Sequence, residues 1–104
     1  MSTLNEIVKQ HKKQLLKMKR KYREQIAVLP KGSLTVKKMS SGEYWYLKYR
    51  EGKKVITKYI GKLSNSVMEI EKQIEQRKIL EKTLRDIEKE LALIRKFEMM
   101  AQGA

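Results

Sequence analysis

The chain has 104 residues, of which 36% are charged; 25 Lys/Arg against 12 Asp/Glu give a formal net charge of +13. That length fits one small domain, and the charge favours polyanions, nucleic acid ahead of an anionic membrane surface or an acidic protein. The absence of cysteine excludes disulfides, thiolate zinc sites and cysteine nucleophiles, and no window approaches the roughly 18 consecutive apolar residues of a membrane span.

Residues 1 to 30 predict a helix. Leu4, Val8, His11, Leu15, Met18 and Tyr22 alternate by four and three and form one stripe, which Ile26 and Leu29 extend. Lysines and arginines fill the other faces. Ser2 or Asn5 is the expected cap. The helix must stop near Pro30, because the residue before a proline disfavours helical geometry. The N-terminal run "MSTLNEIVKQHKKQLLKMKRKYR" lacks the apolar core of a signal peptide, so a cytoplasmic protein is expected.

The middle, residues 31 to 62, predicts a three-stranded antiparallel meander. "LTVKKM" (34–39), "EYWYLKYR" (43–50) and "KKVITKYI" (53–60) are rich in branched and aromatic residues. Ser41-Gly42 and Glu51-Gly52 supply turn chemistry between them. Alternation along the second strand places Trp45, Leu47 and Tyr49 on one face and Tyr44, Tyr46, Lys48 and Arg50 on the other. The first set buries no charge and is the expected core. The third strand depends on its turn. A two-residue Glu51-Gly52 loop sets Val55, Thr57 and Tyr59 beside Tyr44 and Tyr46. A three-residue loop with a glycine bulge sets them beside Trp45 and Leu47. The bulged register is preferred, because it gathers Val55 and Tyr59 into the core and leaves Lys54 and Lys58 outside.

Residues 63 to 104 predict a long amphipathic helix. Ser66 to Glu69 has the form of a capping box, with Ser64 as a rival cap. Val67, Ile70 and Ile74 begin an apolar stripe, and Leu80, Leu84, Ile87, Leu91 and Ile94 continue it after a break in the heptad. A helix from Ser66 to Met100 is roughly 50 Å long, so it needs the first helix beside it or a second copy. The expected fold is α+β, with the two helices paired as an antiparallel hairpin and homodimerisation through the long helix as a further expectation.

Charge follows the same division. Residues 1 to 30 hold eight Lys/Arg against Glu6 and Glu24, residues 31 to 62 hold nine against Glu43 and Glu51, and residues 63 to 104 balance eight against eight. The basic surface belongs to the first helix and the sheet. Cations there can neutralise phosphates, and tyrosines can stack on unpaired bases or donate hydroxyls to phosphates.

The run "LPKGSLTVKKMSSGEYWYLKYREGKKVITKYIGKL" resembles a small, poorly characterised prokaryotic family, through its "LPKGSL" opening, its "YYYLQYREG"-like strand and turn, and its "KYIGK" exit. That resemblance covers about residues 29 to 63 and implies little about activity. The strand and hairpin also resemble the arm-type DNA-binding domains of tyrosine recombinases and the N-terminal region of some transposases. Those resemblances imply DNA contacts from Tyr46, Lys48, Arg50, Lys53, Lys54 and Lys58, without any catalytic domain. The order helix, sheet, helix is similar in shape to prefoldin subunits, which implies that the arrangement can serve assembly.

No catalytic constellation, metal site or cofactor is expected. His11 is the sole histidine and lies on an apolar stripe, the serines have no base partner, and the carboxylates of the long helix alternate with cations as on a solvated face. The expected function is non-enzymatic binding of DNA or RNA, in a phage or mobile-element setting. The residues expected to carry it are Lys37, Tyr44, Tyr46, Lys48, Arg50, Lys53, Lys54 and Lys58 on the sheet, with Lys12, Lys13 and Arg20 on the helix. The alternative is an assembly or inhibitor module, of the anti-CRISPR type, that engages a nucleoprotein partner. A membrane is not expected as partner, since His11 interrupts the stripe of the basic helix.

Overall fold

The computed structural model describes residues 3 to 103. Its elements run α1 (Thr3–Ala27), β1 (Ser33–Met39), β2 (Gly42–Glu51), β3 (Lys54–Lys62) and α2 (Asn65–Gly103). The α+β class and the order of elements match the sequence expectation. The chain divides into two compact units: residues 1–28 with 79–104, and residues 29–78.

The first unit is a helical hairpin. Leu15 of α1 packs with Ile87 and Ile94 of α2, and Val8, Met18, Tyr22 and Leu91 close around them. These are residues of the two predicted stripes. Burying each such side chain contributes about 1.5–3 kcal/mol. The helices are antiparallel: Lys12 Nζ donates to Glu98 Oε1 at 2.9 Å, while Arg23 lies 3.6 Å from Glu88. His11 is exposed and its Nε2 sits 3.2 Å from Glu90 Oε1, a pair on the helix surface. Asn5 does not cap α1, which already begins at Thr3. Ser2, the other expected cap, lies outside the described residues.

The second unit contains the sheet and the start of α2. The strand order is β1-β2-β3, and both pairings are antiparallel. Its buried side chains are Leu47 from β2 and Val67 and Ile74 from α2. The break in the apolar stripe between Ile74 and Leu80 spans the place where α2 passes from one unit's residues to the other's. One helix therefore serves two cores, and its apolar pattern resets between them. Ser64 wins over Ser66 at the start of α2: the Met68 amide donates to the Ser64 carbonyl at 3.1 Å, and Ser66 is already inside the helix.

The segment "LPKGS" is fixed to this unit at two points. Arg77 donates to the Leu29 carbonyl at 2.6 Å. Gly32 has φ +111°, and a Cβ there would collide with the Lys48 carbonyl oxygen and come within 2.8 Å of Tyr49 Cβ. Only glycine lets the chain pass this close to the central strand.

Candidate nucleic-acid interface

The two hairpin turns decide which side chains share a face. Met39 pairs with Gly42, which makes Ser40-Ser41 the first loop. Glu51 pairs with Lys54, so the second loop is Gly52-Lys53. Gly52 has φ +60°, and among the described residues no non-glycine residue has positive φ. A positive first loop residue followed by a negative second one is the type II′ pattern, which suits the twist of a hairpin.

This register corrects the expected one. Val55 lies opposite Arg50, Thr57 opposite Lys48 and Tyr59 opposite Tyr46, so the third strand's odd residues join the Tyr44/Tyr46 face. Tyr59 and Val55 are 54% and 55% exposed and are not core residues. Lys54 pairs with Glu51 and Lys58 with Leu47, which moves both lysines to the tryptophan side. The physical reason is the period of two along a strand: a one-residue change in loop length sends every side chain to the other face.

A bulge follows. Tyr46 pairs with Tyr59 but Trp45 pairs with Gly61, so Ile60 is the extra residue. Gly61 takes φ +141°, a value that disfavours other residues. Past the bulge the parity of β3 is reversed, and Lys62 pairs with Tyr44. Lys62 was not among the expected residues. The signal for it was the "IGK" string, where a glycine near a strand end suggests a bulge.

The tyrosine face is built from Tyr44, Tyr46 and Tyr59. Tyr59 stands 5.3 Å from Tyr46 and 6.4 Å from Tyr44 between ring centroids, tilted by 56° and 39°. Lys37 Nζ lies 5.5 Å from the centre of the Tyr46 ring, and Lys62 Nζ lies 5.6 Å from that of Tyr44. The Tyr44 hydroxyl is 2.7 Å from Ser41 Oγ. Lys48 and Arg50 are exposed further along β2 on the same face.

Charge is sorted between the two faces. The only acids in the strands, Glu43 and Glu51, both lie on the tryptophan face, where each is directly opposite a lysine, Lys38 and Lys54. Cross-strand pairs of opposite charge compensate there. The tyrosine face carries Lys37, Lys48, Arg50 and Lys62 and no acid. Lys53 sits in the loop between β2 and β3. On the tryptophan face Trp45 Nε1 is buried and has no hydrogen-bond partner among the described residues.

The expected helix residues separate as well. Lys12 is held by Glu98; Lys19, which was not among the expected residues, lies 4.0 Å from Glu88. Lys13 and Arg20 are exposed on the side of α1 turned away from Leu15. Among the described residues no helix is long and apolar enough to cross a membrane, and no three His, Cys, Asp or Glu residues come together as a metal site.

No curated protein and no solved structure matches the chain. A family model described as a domain of unknown function (DUF6788) matches residues 3–69, which takes in α1, the whole sheet and the first turn of α2. The chain belongs to that family.

Proposed function

We propose that this protein is a non-enzymatic nucleic-acid-binding protein that uses the tyrosine face of its sheet, with the outward cations of α1 such as Lys13 and Arg20 as a second contact surface. The observation that carries the reading is the sorting of charge across one small sheet. Four cations stand on an open aromatic face without an acid, while the acids are matched by lysines on the other face. A solubilising surface has no need of that separation. Uncompensated cations on one face attract phosphates and release their counterions. The resemblance of the strand and hairpin to arm-type DNA-binding domains favours DNA as the nucleic acid.

The test compares two sets of substitutions. Lys37→Gln, Lys48→Gln, Arg50→Gln and Lys62→Gln together remove the charge of the tyrosine face, and Lys54→Gln with Lys58→Gln removes lysines from the other. Binding to a labelled mixed-sequence DNA is read by fluorescence anisotropy over a salt series. The first set should weaken binding by about a hundredfold or more and flatten the salt dependence by several units of slope. The second set should change affinity by less than about threefold, as expected when nonspecific charge is all that is lost. Equal losses from the two sets would refute the reading.

A further inference from the structure

An aromatic and basic sheet surface can hold nucleic acid in two ways. Rings with open faces stack on unpaired bases and select single strands. Cations held in place meet phosphates and follow phosphate density, which is higher in a duplex, at one charge per about 1.7 Å against about 3.4 Å for each strand alone. The arrangement on β1, β2 and β3 distinguishes between them.

The Tyr44 and Tyr46 rings already carry ammonium groups, from Lys62 and Lys37 respectively. Tyr59 is tilted against both rings, so the three do not form a flat platform. An ammonium over a ring is attracted by the ring's π-face. That attraction holds a long, flexible side chain in one place before any ligand arrives, which lowers the ordering cost of binding. The Tyr44 and Tyr46 rings, themselves half-buried, thus position lysines and present little open surface to bases. Lys48 and Arg50 lie four and six residues along β2 from Tyr44, the ring under Lys62, about 13–20 Å away, and two and four residues from Tyr46, the ring under Lys37, about 7–13 Å away. The two groups of cations are far enough apart to meet different phosphates.

We propose, resting on the nucleic-acid reading above, that the tyrosine face binds the sugar-phosphate backbone of a duplex and does not stack bases. Tyr44 and Tyr46 act as positioning residues for Lys62 and Lys37.

The experiment uses the full chain, with a labelled duplex of about 20 base pairs and each of its strands alone, at about 100 mM salt. The duplex is expected to bind more tightly than either strand. Tyr59 is half-exposed and, among the described residues, has no lysine over its ring, so Tyr59→Ala tests for stacking. It should cost less than about fivefold on the single strand, whereas a stacked base would cost about fivefold or more. Lys37→Gln with Lys62→Gln leaves all three rings in place and should reduce the duplex salt slope by about 1.8, the value for two phosphates. A single strand bound as tightly as the duplex, a loss of fivefold or more in Tyr59→Ala, or an unchanged slope in the double variant would each overturn the inference. Failure to bind either probe would instead remove the nucleic-acid reading on which it rests.

Discussion

Gly32→Ala is the most informative single test of the sheet unit. Two effects combine there. The backbone at φ +111° is a conformation that residues with a side chain rarely adopt, and the added methyl group would meet the Lys48 carbonyl oxygen and Tyr49 Cβ. Neither neighbour is the loose end of a flexible side chain: both belong to the central strand, held on each side by β1 and β3. Backbone strain of this kind costs about 1–3 kcal/mol, and displacing the strand adds to it, so a loss of about 2–4 kcal/mol is expected. Gly52→Ala is the control. Gly52 also has positive φ, +60°, but a Cβ there would meet nothing within 4 Å. It should cost only the conformational term, about 1–2 kcal/mol. Urea denaturation followed by fluorescence of Trp45, the sole tryptophan, reports on this unit directly. In a thermal melt Gly32→Ala should lower the midpoint by about 10–20 °C. If Gly32→Ala is no less stable than Gly52→Ala, the close approach of the "LPKGS" segment to β2 is wrong.

Two other substitutions probe the remaining supports. Ile87→Ala opens a cavity among Leu15, Ile94 and their neighbours and should destabilise the hairpin unit by about 2–5 kcal/mol, seen as an earlier loss of helical circular dichroism. Arg77→Met removes the donor to the Leu29 carbonyl while keeping much of the stem, and should cost about 1.5–3 kcal/mol by urea denaturation.

The sequence was most legible where a pattern is local. Both apolar stripes, the stop before Pro30 and the three strands are readable because helical and strand periods repeat over many residues. The pairing of the helices follows from the length of α2, since its stripe needs a partner. The turns were less legible. Gly52-Lys53, Glu51-Gly52 and a bulged loop differ by a single residue, and all of them contain a glycine. The preferred alternative put Tyr59 with Trp45 because apolar residues were expected to gather, yet the aromatic cluster formed on the open face around Tyr44 and Tyr46. Lysines 54 and 58 moved with that choice. Half of the candidate site is legible: Tyr44, Tyr46, Lys48 and Arg50 share the expected face, Lys37 stands on it opposite Tyr44, and Lys62 and Tyr59 join it through a turn and a bulge that propensities do not specify. The cap of α2 was similar. Ser64 and Ser66 are chemically alike, and the choice rested on where the chain leaves β3.

The extra residue at Ile60 is the one position near the end of β3 that can be lost without changing the faces. Deleting Ile60 would remove the bulge and leave Gly61 opposite Trp45 and Lys62 opposite Tyr44. Deleting Ile60 together with Gly61 would instead bring Lys62 opposite Trp45 and leave Tyr44 without its cation. Length variation among relatives at this point should therefore be confined to the single bulged residue, or be matched by a basic residue displaced by one position.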